Sequence, residues 1–270
     1  MNKFSIFIIA AVLLVAASLA YYIRQDQQNR SVTTELALPP EVDTPELEGP
    51  EQVQFPVPEP PVQTQQVKPL SACAKSKLDT ALEAYEAGKY DVAYERLLPL
   101  SEVGNPEAQY RLGVMYLKGQ GVKQDFAQAF KLFQKAAVQG HTIAQSNIGY
   151  MYAEGIGINQ DYTEALKWYR LAAEQGYASA QFNLGRIYDM GLGIPIDYAE
   201  AAKWYHKAAE QGNADAQYFM GLMYFEGLGV PKDQNKGTMW IHKAIESGHP
   251  EAKEMLKFIL DAPDIDSEKK

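Results

Sequence analysis

The chain has little of what several functional classes require. Its 270 residues hold one cysteine, Cys73, which excludes an internal disulfide framework and a cysteine-built zinc site. Basic residues are outnumbered: 25 Lys+Arg stand against 34 Asp+Glu, for a net charge of −9 and a pI near 5.0. Neutralising phosphates takes a basic stripe, so no nucleic-acid partner is expected. Composition is too uneven along the chain for length alone to give the domain count.

Charge is wholly missing from Phe4 to Ile23, a twenty-residue apolar run preceded by Lys3 and followed by Arg24. As a helix rising about 1.5 Å per residue it spans roughly 30 Å, the thickness of a bilayer core. Residues 1–24 therefore read as a signal anchor holding the chain on a bacterial inner membrane, single-pass, with the carboxy-terminal part in the periplasm. Ser18 and Ala20 also form a small-x-small site, so cleavage after Ala20 to give a free periplasmic protein is the other reading. A buried globular helix is a third.

Residues 25–71 form a linker whose core, 31–70, holds nine of the fifteen prolines and seven acids against one base, Lys68. Such a segment cannot bury enough apolar surface to offset chain entropy, and reads as a disordered acidic stalk. Its Pro56–Pro61 cluster also has the make-up of a ligand for a proline-recognising groove. Leu70-Ser71-Ala72-Cys73 looks locally like a lipoprotein acylation box but stands far from the apolar run, so a free thiol is the default for Cys73.

From residue 72 onward the sequence repeats. Ala108, Ala144, Ala180, Ala216 and Ala252 recur every 36 residues. Counting each alanine as position 1, Gly113, Gly149, Gly185 and Gly221 stand at position 6, and Tyr116, Tyr152, Tyr188 and Tyr224 at position 9. A Gly-x-Gly loop follows, then Asp125, Asp161, Asp197 and Asp233 at position 18, and a glycine at position 33. Self-similarity at this period means a solenoid, propeller or array.

Each repeat reads as two antiparallel helices. Positions 1, 5 and 9 have helical spacing, and the position-6 glycines permit another helix to approach closely. The Gly-x-Gly loop ends the first helix, and the position-18 aspartate caps the second. In two repeats Glu164 and Glu200, three residues after the aspartate, suggest full capping boxes. Residues 72–107 read as an amino-terminal capping hairpin. The repeats are 108–143, 144–179, 180–215 and 216–251, followed by a capping helix at 252–260 and a disordered tail at 261–270.

The Leu-Gly-x-x-Tyr core, the Gly-x-Gly loop and the Trp168-Tyr169 and Trp204-Tyr205 pairs resemble the Sel-one-like repeat family, a branch of the tetratricopeptide-like hairpins. The resemblance implies an all-α, right-handed superhelical solenoid of antiparallel helix pairs. It also implies that first-helix positions 3, 7, 10 and 11 face the concave side. These positions vary between repeats, and aromatic residues with arginine are common anchors of protein interfaces. The candidate partner-binding residues are Tyr110, Val114, Lys118, Tyr150, Glu154, Phe182, Arg186, Asp189, Tyr218, Leu222 and Phe225. The alternative is that several of them pack between adjacent first helices.

No catalytic constellation emerges. The histidines, His141, His206, His242 and His249, read as surface residues. The Gly-x-Gly pairs follow a helix and lack a P-loop Lys-Ser/Thr, so they are turns. Neither a metal nor a cofactor is expected. What the family resemblance implies is a non-enzymatic scaffold of the cell envelope, binding a protein or peptide in its concave groove. Resembling proteins also include periplasmic immunity proteins that neutralise phospholipase toxins. Others, with a cysteine pair in each repeat, are linked to β-lactam binding or hydrolysis, and this chain lacks those cysteines.

Overall fold

The structure, a computed structural model, describes residues 72–261. The expected membrane or signal helix, the acidic stalk and the tail beyond Asp261 lie outside the described residues, as does the side chain of Cys73. Among the described residues no helix is long and apolar enough to cross a membrane.

Eleven helices and no strands make up the described chain: α1 (Ala72–Glu86), α2 (Tyr90–Glu102), α3 (Pro106–Lys118), α4 (Phe126–Ala137), α5 (Thr142–Glu154), α6 (Tyr162–Glu174), α7 (Ala178–Met190), α8 (Tyr198–Glu210), α9 (Ala214–Glu226), α10 (Gln234–Glu246) and α11 (Ala252–Asp261). Each packs on the next in chain order, giving five hairpins closed by the single α11. The first helices start two residues ahead of the alanine frame, because Asn105, His141, Tyr177 and Asn213 occupy their N-caps.

Within a hairpin the position-6 glycine sets the crossing. A Cβ on Gly113, Gly149, Gly185 or Gly221 would come within 2.7, 2.9, 2.6 or 2.6 Å of the side chain of Phe133, Tyr169, Tyr205 or Ile241. Only glycine leaves room for the ring or branched chain of the partner helix. Ala108, Ala144, Ala180 and Ala216, with Ala136, Ala172 and Ala208, are fully buried and bring neighbouring helices close.

The two glycines of each loop do different things. The first closes the helix: Gly119 adopts φ 67° and its N–H bonds the Met115 carbonyl. The second is pressed on the preceding repeat, a Cβ on Gly157 coming within 2.7 Å of Phe126 Cβ and 2.9 Å of its carbonyl carbon. The loop thus fixes repeat-to-repeat spacing as well as turning the chain.

All four position-18 aspartates cap their helices. Asp125 accepts from Gln128 N, Asp161 from Thr163 N and Glu164 N, Asp197 from Ala199 N and Glu200 N, and Asp233 from Lys236 N. The reciprocal half of the expected capping boxes is absent. The aspartate N–H groups bond instead to the carbonyls of Tyr116, Tyr152, Tyr188 and Tyr224 at 2.9–3.0 Å. Glu164 and Glu200 turn to Lys167 and Lys203.

A buried glutamine ladder joins the hairpins. Gln109, Gln145, Gln181 and Gln217 donate from Nε2 to the carbonyls of Ser101, Ala137, Ala173 and Ala209, each in the preceding second helix. In the first three repeats the Oε1 accepts from Gln139, Gln175 or Gln211. Ser247 holds the fourth register position, and Gln217 Oε1 is buried without a hydrogen bond.

Candidate functional site

On the first helices, the side away from the glycine crossing keeps side chains in contact with solvent. Lys118 and Glu154, at position 11, are exposed, as are Met190 and Glu226 at the same register. Tyr110, Tyr150, Arg186, Asp189 and Phe225 are half-buried. Val114, Phe182, Tyr218 and Leu222 are buried, with Tyr218 2% exposed. Position 3 is therefore buried in three of the four repeats, at Ser146, Phe182 and Tyr218, and half-buried at Tyr110. Phe182 packs against Tyr205 and Phe219, and Tyr205 stacks on Phe219 at 5.4 Å.

Position 4, which the reading of positions 3, 7, 10 and 11 passed over, lies on the open side. Arg111, Asn147 and Asn183 are half-buried there, and only Phe219 of the fourth repeat closes inward. The signal was helical spacing: position 4 stands three and seven residues before positions 7 and 11, so the three share one line along the helix.

Two charged groups form on this side. Between the second and third repeats, Arg186 and Glu154 act in opposite senses on the hydroxyls of Tyr150, Tyr162 and Tyr169, all raised chiefly by burial. Burial also pushes the Asp189 carboxyl up, opposed by the Tyr205 hydroxyl, which donates to it at 3.2 Å, and by Arg186. In the first repeat Arg111 Nε donates to Glu107 at 2.6 Å, and its guanidinium lies 5.4 Å from the Tyr85 ring centre and 5.5 Å from that of Tyr110. A hydrogen bond with His141 is the largest cause holding the Glu107 carboxyl below its ordinary range, with burial opposing and Arg111 assisting. The face is mixed in charge and rich in tyrosine.

The surface expectation for the histidines needs correcting. His249 is 4% exposed, and His141 is half-buried; both stack on a position-3 tyrosine and accept a backbone N–H of the following segment. They are pulled in because each ring satisfies a backbone donor at its repeat junction and lies flat on the apolar face of the adjacent tyrosine, whereas Tyr177 at the same register makes no such cap. His206 and His242 keep contact with solvent, His206 meeting Trp240 edge-on at 5.6 Å. Among the described residues no three His, Cys, Asp or Glu side chains converge to hold a metal.

Stacked two-helix units at a 36-residue period, with a variable outer side on the first helices, define an α-solenoid of the tetratricopeptide-like class. Sel1 repeats match at 106–141, 142–177, 178–213 and 214–249, and the chain belongs to the Sel1 repeat family. Sel1 repeats are generally a protein-interaction fold. The structure is similar to that of a Sel1 repeat protein from Oxalobacter formigenes, at 38% identity and TM-score 0.63, over 66% of this chain and 73% of that one. It is also similar to c5321, a protective antigen of uropathogenic Escherichia coli displaying an SLR fold, at 35% identity and TM-score 0.66 over 69% of this chain. The match covers 41% of c5321, so the chain spans about two fifths of that protein's length. The immunity protein Pa5087 of Pseudomonas aeruginosa is 18% identical with TM-score 0.37, over 67% of this chain and 84% of that one, a likeness that carries no argument about function. No protein of curated function matches the chain.

Proposed function

We propose that the chain is a non-catalytic scaffold of the cell envelope that binds a protein or peptide partner along the open side of α3, α5, α7 and α9. One observation carries this reading. The positions shared by all repeats are spent on glycine crossings, aspartate caps and the glutamine ladder, while Lys118, Tyr150, Glu154, Arg186, Asp189 and Phe225 differ between repeats and keep surface on one side. Apart from Asp189, which accepts the Tyr205 hydroxyl, these side chains take no part in the shared crossings, caps or ladder, so their identities can vary to serve recognition. Tyrosine and arginine give large contact area with polar tips, the combination found at interface anchors.

The envelope assignment comes from the Phe4–Ile23 run and the Pro-rich linker, which together would hold the solenoid clear of a bilayer. A reporter fused at Lys270 that works only after export should be active, and activity of a cytoplasm-only reporter contradicts the topology. For the binding face, photo-crosslinking residues placed in living cells at positions 118, 154 and 190 should give one common adduct. The same probe at Lys131 or Lys203, on second helices, should give none. Adducts from the second helices alone would put the partner elsewhere. An adduct that proves to be a phospholipase would turn the scaffold reading into an immunity role.

A further inference from the structure

The first and fourth repeats end in the same aromatic clasp. His141 stacks on Tyr110 at 4.7 Å and 25°, and His249 on Tyr218 at 4.2 Å and 10°. In each ring Nδ1 accepts a backbone N–H at the start of the following helix, from Ala144 at 3.1 Å and from Glu251 at 3.2 Å. In each, Nε2 faces a carboxylate one residue before the position-1 alanine.

The two clasps differ in how that carboxylate sits. Glu107 is 3.0 Å from His141 Nε2, within hydrogen-bond distance, and is itself braced by Arg111. Asp215 lies 3.5 Å from His249 Nε2, and the His249 side chain is fully buried. Because Nδ1 of His249 is an acceptor, the neutral ring carries its hydrogen on Nε2, and a second proton must go to Nδ1. There it would confront the Glu251 N–H.

We propose that His249 makes the docking of α11 on the fourth repeat acid-sensitive: the neutral imidazole holds the turn that leads into α11, and its protonation releases that turn. Asp215 and Tyr218 from α9, and Glu251 from the junction, are charged or titratable groups that face this clasp. The Tyr218 hydroxyl, pushed up to about 12 by burial and then by Glu251, stays neutral throughout the relevant range. Burial lowers the His249 imidazole from its ordinary 6.5, and Asp215 opposes that shift. A depressed imidazole in the folded state means that the unfolded or undocked state binds the proton more readily. Its contribution is complete above about pH 6.5 and declines as the pH falls from there towards the lower folded value. α11 buries Ala252 and Met255, so its release uncovers the end of the fourth repeat.

Hydrogen exchange on the full chain at about pH 7.5 and about pH 5, corrected for the intrinsic pH dependence of exchange, tests this. Protection of 252–261 should fall severalfold or more at the lower pH while that of 178–190 is retained. His249→Asn should abolish the selective loss, because Asn105 and Asn213 already serve at the same register as backbone acceptors. Equal loss in His249→Asn, or unchanged protection in the parent, overturns the proposal. If His249→Asn fails to hold α11 even at the higher pH, Asp215→Asn decides: Asp215 favours the charged ring in the docked state, so its removal should enlarge the loss of 252–261 protection at about pH 5 relative to about pH 7.5, and a loss no larger than the parent's contradicts the role of His249.

Discussion

At residue scale the decisive quantity is room. The Gly185 Cβ position lies 2.6 Å from Tyr205 Cδ1, closer than packed carbons approach, so Gly185→Leu should cost about 1–3 kcal/mol or more by overpacking the crossing. A thermal melt equal to the parent's would show that the crossing can open freely. The unpaired Gln217 Oε1 gives a prediction of opposite sign. Ser247→Gln restores the donor present in the first three repeats and should stabilise by roughly 0.5–1.5 kcal/mol, read from the shift in denaturant midpoint. The glycine crossing was legible in the sequence, since a glycine in phase with helical apolar positions has few other uses. The inward turn of Phe182 and Tyr218 was not, because position 3 is only about 60° around the helix from the glycine line. Whether it faces solvent there depends on what the neighbouring repeat or junction lays over it: Phe219 closes over Phe182, and His249 over Tyr218. The histidine clasps did leave a trace: Tyr at position 3 goes with His at position 34 in the first and fourth repeats, a pairing visible only when the repeats are compared with one another.

At element scale the helix ends carry the repeat. Each position-18 aspartate satisfies backbone donors of the second helix with its side chain and is tied by its own N–H to the tyrosine carbonyl near the end of the first helix. Asp161→Ala should therefore cost about 1 kcal/mol, within a range of roughly 0.5–2, and Asp161→Asn much less. Sequence spacing located this cap correctly but completed it with Glu164, whereas the donor it was to satisfy is already taken by the Tyr152 carbonyl. A cap of this kind titrates. The Asp233 carboxyl is held below its ordinary 3.8, chiefly by the backbone N–H of Lys236, with desolvation opposing and the Lys236 charge assisting. A depressed carboxyl stabilises the folded form above the ordinary value, and that contribution is lost as the pH falls through the folded one. Fraying of α10, followed by amide exchange, should grow with acid below about pH 3.8 in the parent and less so in Asp233→Asn.

At the scale of the whole molecule, the described hairpins contact mainly their neighbours, so stability is close to a sum of repeat and interface contributions. Removing residues 142–177, one whole repeat, joins chemically equivalent ends and should leave a shorter helical protein that melts in one transition. Removing eighteen residues leaves a hairpin without its second helix and should abolish the cooperative melt. The period was the strongest signal in the sequence, and it set the architecture because identical phase over four copies cannot be satisfied without stacking. The repeat frame was offset, since the N-cap residues that open each first helix are chemically diverse, Asn105, His141, Tyr177 and Asn213, and left no common mark.

The division of labour between shared and variable positions is best tested by reversing charge where the face is open and packing is absent. Lys118→Glu with Glu226→Lys alters two exposed side chains at position 11, and surface changes of this kind usually shift stability within about 0.5 kcal/mol. Affinity for the partner found by crosslinking and the thermal melt are then measured on the same preparation. A loss of affinity of roughly tenfold or more with an unmoved melt is the predicted result; unchanged affinity with an unchanged melt would contradict recognition by this face.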